Sequence, residues 1–270
     1  MEFTDRNALK DIGNLLKYIA SFDRIFIFSD FDGTLARFRK NPRNVKLSRK
    51  ASCTLEKILK NLKIITGIVS GRKISELEFF LGSHLSENFN LFGCHGSEIK
   101  FKNKNIKIAA EVMESMEIIR LIQENIEKNF KNESSFIFEK KESSFAVNYR
   151  NTGYMKKNKI DEMKNSFLEF EKIFPVKFLD LKKVFEIVPS NINKSTAIKE
   201  TIKEYGSILE ECSYIFLCLG DDTTDENLFI ENKNGVNIKV GIDNLDTTHA
   251  QYFLSSIKEV FSFLSKIACI

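Results

Sequence analysis

Arg24-Ile25-Phe26-Ile27-Phe28-Ser29-Asp30-Phe31-Asp32-Gly33-Thr34-Leu35 decides the fold. Arg24 to Ser29 form a short, nearly continuous apolar run, the pattern of a β-strand buried on both faces of a parallel sheet. Asp30 and Asp32 follow at the strand's C-terminal end, the edge where open α/β sheets bind their ligands. Alternate residues of an extended chain point oppositely, but a tight turn helped by Gly33 can aim both carboxylates at one point. Two carboxylates so close repel and raise one pKa unless a cation lies between them, which makes a hard divalent ion such as Mg2+ a fitting occupant. The plain alternative is an Asx-rich loop that caps a helix. The strand before the loop and Gly33-Thr34 within it weigh against that alternative.

Outward from this loop the rhythm repeats. Leu9, Ile12, Leu16 and Ile19 recur at helical spacing ahead of it. Beyond it, Leu55, Ile58, Leu59 and Leu62 mark a helix, and residues 63–69 (KIITGIV) form a second buried strand ending in Ser70-Gly71-Arg72. Ile74, Leu77, Phe80 and Leu81 mark the next helix. Strand and helix alternating in this way predict a parallel sheet with helices on both faces. The middle of the chain changes order. A long amphipathic helix from Ala109 to Lys131 precedes strands near 136–139 and 144–149, a helix from Tyr154 to Phe174, and strands near 176–179 and 184–188. That order predicts an α+β layer, so residues 103–189 read as an inserted domain and residues 1–102 with 190–270 as the core. Alternation then resumes with a helix from Ser195, strands at 214–219 and 235–240, and a last helix at 257–267.

Three further loops carry chemistry. Gly220-Asp221-Asp222-Thr223-Thr224-Asp225-Glu226 follows an apolar strand, and so dense a group of acids on one sheet edge is hard to explain without a cation. Asp225 and Glu226 also read as helix-start residues that complement the dipole. Asp221, first out of the strand, is better placed to complete a metal site with Asp30. Ser70 ends a buried strand, where its hydroxyl and the N–H groups of the next helix can hold a phosphoryl oxygen; its plain reading is an N-cap. Lys194 precedes a helix N-terminus, where the dipole disfavours a cation, and an anion to bind removes that oddity.

These four loops, in this order, resemble the motifs of the haloacid dehalogenase superfamily of phosphohydrolases. Val69-Ser70-Gly71-Arg72, Cys94-His95-Gly96-Ser97-Glu98-Ile99, Glu139-Lys140-Lys141, Val147-Asn148-Tyr149-Arg150, Phe185-Glu186-Ile187-Val188-Pro189 and the acidic loop are similar to successive blocks of the trehalose-phosphate phosphatases. The resemblance implies a Rossmann-like parallel-sheet core with an inserted C2-type α+β cap that closes over the sugar. It implies Mg2+-dependent hydrolysis of trehalose 6-phosphate through an aspartyl-phosphate. Asp30 is then the nucleophile, Asp32 the general acid and base, and Ser70 and Lys194 the stabilisers of the phosphoryl group. The metal falls to Asp30, the Asp32 carbonyl and Asp221, supported by Asp222 and Asp225. Arg72, His95 and Gly96 fall on the substrate side, although His95 reads more readily as a structural residue.

In the cap, Glu139 and Lys141 lie two apart on a predicted strand and Glu186 sits in the last one, a set suited to sugar hydroxyls or to a cross-strand ion pair. Arg150 reads either as a phosphate ligand or as a surface charge. The chain departs from the family at Ser195, where Gly is usual, at Asn148, where His is common, and at Cys94, where Glu or Val is frequent. Other readings of the same loops are a phosphatase or mutase for another phosphosugar, and a non-catalytic phosphosugar sensor.

Composition sets the outer bounds. The 270 residues are 43% hydrophobic and 29% charged with a net charge of +4, which suits a globular protein and not a polyanion binder. The five cysteines lack a CxxC pair and read as reduced, mostly core thiols. Charges at Asp5, Arg6, Lys10 and Asp11 leave no secretory h-region, and no run approaches a membrane span, so a cytoplasmic protein is expected. The partners expected are a small phosphosugar and a trehalose-phosphate synthase, with neither nucleic acid nor membrane.

Overall fold

The computed structural model describes residues 6–39, 41–150, 157–181 and 183–270. Its contacts divide the chain into two units, Met1–Lys107 with Lys194–Ile270, and Ile108–Asn193. The first unit begins with α1 (Ile12–Ala20), β1 (Arg24–Ser29), α2 (Arg49–Leu59), β2 (Ile64–Val69), α3 (Ile74–Leu81) and α4 (Ser83–Asn88). Short strands β3 (Asn90–Gly93), β4 (Glu98–Lys100) and β5 (Lys107–Ile108) follow. The second unit holds α5 (Met113–Phe130), β6 (Ile137–Lys140), β7 (Phe145–Asn148), α6 (Lys157–Ile173), β8 (Val176–Leu181) and β9 (Val184–Pro189). The chain then completes the first unit with α7 (Thr196–Leu209), β10 (Tyr214–Gly220), α8 (Glu226–Glu231), β11 (Val236–Val240), β12 (Tyr252–Leu254) and α9 (Ile257–Ile267).

The first unit is an eight-stranded sheet in the order β12-β11-β10-β1-β2-β3-β4-β5. β1 pairs in parallel with β10 on one side and β2 on the other, Ser29 standing opposite Leu219 and Ile68. Both faces of β1 are buried, as the apolar run requires. Ile25 and Ile27 join the cluster of Leu217, Leu219 and Ile68 with Leu55 and Leu264, while Phe26 stacks on Phe216 at 4.8 Å and Phe28 meets Phe92 at 5.6 Å. Each such side chain contributes about 1.5–3 kcal/mol by burial. Gly67 in β2 is required by this packing, because a Cβ there would lie 2.5 Å from the Phe28 ring. The α/β reading of the sequence therefore holds.

The second unit is an antiparallel sheet in the order β6-β7-β9-β8, with α5 and α6 against one face. Phe145, Val147, Phe185 and Ile187 pack there on Ile119, Ile122 and Ile126 of α5 and Met163 and Phe167 of α6. Strand alternation turns Glu139, Ala146 and Glu186 to the other face, in one cross-strand row. The helix expected from Tyr154 begins at Lys157 among the described residues; Tyr154 lies outside them.

The divisions at Lys107 and Asn193 fall a few residues beyond 103 and 189. Lys107 opens β5 and its ammonium meets Glu200 of α7 at 2.9 Å, which ties that stretch to the first unit. Short β3, β4, β5 and β12 offered too little alternation to be read from sequence. The cysteines are all free, but only Cys94 and Cys218 are buried; Cys212 is half-buried and Cys53 and Cys269 are exposed, so most are not core thiols. Among the described residues no helix is long and apolar enough to cross a membrane.

Candidate active site

Because β1 lies between β2 and β10, the loops that leave their C-terminal ends meet although they are far apart in sequence. Asp30 follows β1 directly, and its N–H donates to Leu219 O at 2.9 Å, which fixes it against β10. The turn then closes on itself, with Ala36 N donating to Phe31 O and Gly33 N to Ala36 O. Gly33 has a φ of 92°, and a Cβ on it would stand 2.1 Å from Asp221 Oδ2. Glycine is therefore needed twice over, for the backbone and for the neighbouring carboxylate.

Asp30, Asp221 and Asp225 each offer an oxygen within 4.8 Å of the others. Lys194 enters this group from the start of α7: its Nζ donates at 2.6 Å to Asp30 Oδ1 and at 2.6 Å to Asp225 Oδ1. Asp225 spends its second oxygen on the Asp222 N–H at 2.9 Å. Gly220 leaves the room for this, since a Cβ there would lie 2.2 Å from Asp225 Cγ. Thr34 Oγ1 donates to Asp221 Oδ1 at 3.3 Å.

Burial governs the electrostatics. It pushes the Asp30 carboxyl well above the ordinary aspartate value; the Lys194 ammonium opposes this, and Asp225 and Asp221 reinforce it. Burial, then the charge of Asp225, pushes Asp221 up to about 7. Burial works against the charge of Lys194, but Asp225 and Asp30 outweigh it and hold the ammonium above its ordinary value. Three carboxylates around one ammonium leave an excess of negative charge on hard oxygen donors. That donor set fits a divalent cation of the Mg2+ type, with Asp30, Asp221 and Asp225 as the residues to hold it.

The other residues singled out from the sequence take different positions. Asp222 does not join the cluster: its Oδ1 accepts from Thr223 N at 2.6 Å and caps the turn that leads into α8. Both oxygens of Asp32 accept from Arg72, at 2.5 and 2.8 Å. Ser70 is buried at the end of β2, where its Oγ accepts from Arg72 N at 3.2 Å. His95 and Gly96 are buried behind that turn, His95 N donating to Ser70 O at 2.9 Å.

In the second unit, Lys141 Nζ and Ser144 Oγ both donate to Glu186 Oε1 at 2.7 Å, and Asn148 Nδ2 donates to Glu139 Oε1 at 3.4 Å. Arg150 N donates to Asn148 Oδ1 at 3.0 Å. Lys239, absent from the residues singled out above, is 4% exposed within β11, and its Nζ stands 3.9 Å from Glu226 Oε1. Its signal was a charge inside an apolar strand. Glu226 in turn accepts from Thr248 Oγ1 at 2.7 Å and His249 N at 2.8 Å, binding the loop before β12 to α8.

A buried aspartate at the end of β1, a buried ammonium bonded to it and a cluster of acidic oxygen donors thus meet at one sheet edge. The family model for trehalose-phosphatase matches residues 28–258, which takes in every one of these loops. The chain belongs to the trehalose-phosphatase family. A trehalose-phosphatase of Schizosaccharomyces pombe is 28% identical over 222 residues, 80% of this chain and 25% of that protein. The alpha,alpha-trehalose-phosphate synthase (UDP-forming) B of Dictyostelium discoideum is 26% identical over 256 residues, 91% of this chain and 30% of that protein. This trehalose-phosphatase family member thus spans between a quarter and a third of the length of those two curated relatives. The C-terminal domain of the C. albicans trehalose-6-phosphate phosphatase shares its fold, with a TM-score of 0.77 at 22% identity over 98% of this chain and 99% of that one.

Proposed function

We propose that this chain is a Mg2+-dependent phosphatase that hydrolyses trehalose 6-phosphate to trehalose and phosphate. The observation that carries the reading is Lys194 bridging Asp30 and Asp225 beside Asp221, in a chain of the trehalose-phosphatase family. An Asp30 oxygen attacks phosphorus and the bond from phosphorus to the sugar oxygen breaks. The departing electron pair takes a proton from Asp32, leaving trehalose and an aspartyl-phosphate. Water then attacks the phosphorus, gives a proton to Asp32, and releases phosphate with the Asp30 carboxylate restored. Lys194 offsets charge on the phosphoryl group, and the Ser70 hydroxyl donates to one of its oxygens. Asp30, Asp221 and Asp225, with the Asp32 carbonyl, would hold Mg2+, which would supply further neutralisation of negative charge when bound; Asp222 supports the set only through its N–H, which donates to Asp225.

Glu139, Lys141 and Glu186 supply the acceptors and donors for sugar hydroxyls. They belong to the segment we assign as the cap. His95, Gly96 and Arg150 complete the substrate-side set, Arg72 standing next to it on Asp32, and the corresponding macromolecular partner is a trehalose-phosphate synthase. Acid quenching of the protein during turnover, followed by peptide mapping, tests the chemistry. A phosphate on the peptide that contains Asp30, absent from Asp30→Asn, is the expected result; phosphate release by Asp30→Asn at the wild-type rate would contradict it.

A further inference from the structure

Arg72 closes a two-point clamp on Asp32. Its Nε donates to Oδ2 at 2.5 Å and its second terminal nitrogen to Oδ1 at 2.8 Å, a fork that a guanidinium offers and an ammonium does not. The clamp is itself confined. The Arg72 side chain is 11% exposed, and its guanidinium carbon lies 4.8 Å from the ring centroid of Phe80 and 5.9 Å from that of Phe31. Those two rings stack on each other at 5.9 Å.

The backbone of Arg72 is held from behind. Its N–H donates to Ser70 Oγ at 3.2 Å, and its carbonyl accepts from Cys94 N at 2.8 Å. Cys94, His95 and Gly96 run through successive left-handed φ values of 47°, 59° and 103°. Such a run costs of order 1–3 kcal/mol for each non-glycine residue and persists only where its surroundings fix it. Here Cys94 Sγ donates to Glu98 Oε1 at 3.3 Å, and Glu98 Oε2 accepts from Ile74 N at 2.7 Å. Gly71 and Gly93 leave the loop its room: a Cβ would lie 2.7 Å from His95 Nε2 at the first and 2.8 Å from Arg72 O at the second. What this strained loop sets is the position of Ser70 to Arg72.

We propose that Arg72 is a positioning residue for the proton transfers of Asp32, braced by the left-handed Cys94–Gly96 loop, and not a ligand of the substrate phosphate. The inference rests on the phosphatase reading above. Asp32 must donate to the sugar oxygen in its acid form and, as the carboxylate, accept a proton from water; both steps need a fixed orientation, and small misplacement of such a group is costly.

The test compares kcat/KM for trehalose 6-phosphate, whose leaving oxygen needs a proton, with that for p-nitrophenyl phosphate, whose leaving group does not. Arg72→Met is expected to lose on the order of 100-fold on the sugar phosphate, and at least tenfold less on the aryl phosphate. Arg72→Lys falls between Arg72→Met and wild type, and Asp32→Asn shows the same asymmetry. The loss on the sugar phosphate lies in kcat. Equal losses on both substrates, or a raised KM with kcat retained, would overturn the positioning role; retained aryl activity also certifies that the variant is folded. If the wild-type chain prefers another sugar phosphate, that ester replaces trehalose 6-phosphate and only the substrate assignment fails. A wild-type chain that turns over neither ester overturns both proposals.

Discussion

Lys194 Nζ lies 2.6 Å from Asp30 Oδ1, within a pair only 3% and 7% exposed, although 164 residues separate the two in sequence. The strand order makes this possible, because the chain leaves the first unit after β5 and re-enters it at Lys194. Removing one partner of so buried a pair leaves the other charge uncompensated. Lys194→Met should therefore lower stability by about 3–5 kcal/mol, read from urea unfolding. A loss under about 1 kcal/mol would mean that the ammonium is not what balances Asp30 and Asp225.

Gly220→Ala tests the acidic cradle without touching a charge. Its Cβ would stand 2.2 Å from Asp225 Cγ, so Asp225 has to leave its place between Lys194 and the Asp222 N–H. Mg2+ affinity should fall by roughly 10- to 100-fold in calorimetric titration, as it does when the surroundings of a metal ligand are disturbed. An unchanged affinity would place the cation elsewhere.

Glu200 supplies a pH dependence outside the active site. Burial raises its pKa, but hydrogen bonds from Lys203 and Lys107 outweigh that and hold the carboxyl below the ordinary glutamate value. A carboxylate lowered in the folded state stabilises it above the unfolded-state pKa of about 4.3, and the contribution is lost as pH falls through the folded value. Glu200→Gln should be less stable than wild type at neutral pH by about 0.5–1 kcal/mol, since both lysines are largely exposed. The gap should close on acidification, as followed by urea unfolding at several pH values.

Glu186→Gln tests the proposed part of Glu186 in sugar recognition. Lys141 and Ser144 both donate to the oxygen that this change neutralises. Loss of charged hydrogen bonding of this kind is worth about 1.5–3 kcal/mol, or roughly 10- to 100-fold in kcat/KM for trehalose 6-phosphate. For p-nitrophenyl phosphate, which has no sugar, the loss should be at least tenfold smaller. Equal losses would assign Glu186 to structure alone.

The parts of this protein that a sequence displays are those set by local pattern. Arg24 to Ser29 could be read as a buried strand because every position but the first is buried, so no polar alternation interrupts it. The acidic loops stood out because carboxylates at a strand end have few other reasons to gather. What stayed hidden depended on side-chain direction or on distant chain. Asp221, first out of its strand, could be read as facing Asp30, but the sequence does not reveal that Asp222 turns away to cap the following turn. The Arg72 clamp on Asp32 exists only once β1 and β2 lie side by side. Cys94 and His95 give no warning of left-handed backbone, which in a sequence is signalled chiefly by glycine. Strands of three or four residues such as β3, β4 and β12 are too short to carry a period.

The decisive measurement is phosphate release from trehalose 6-phosphate, set beside sucrose 6-phosphate and glucose 6-phosphate, with Mg2+ and again with EDTA. Release with a clear preference for trehalose 6-phosphate, abolished by EDTA and by Asp30→Asn, is expected. Preference for another ester, a phosphate moved within the sugar instead of released, or full activity in EDTA would contradict it.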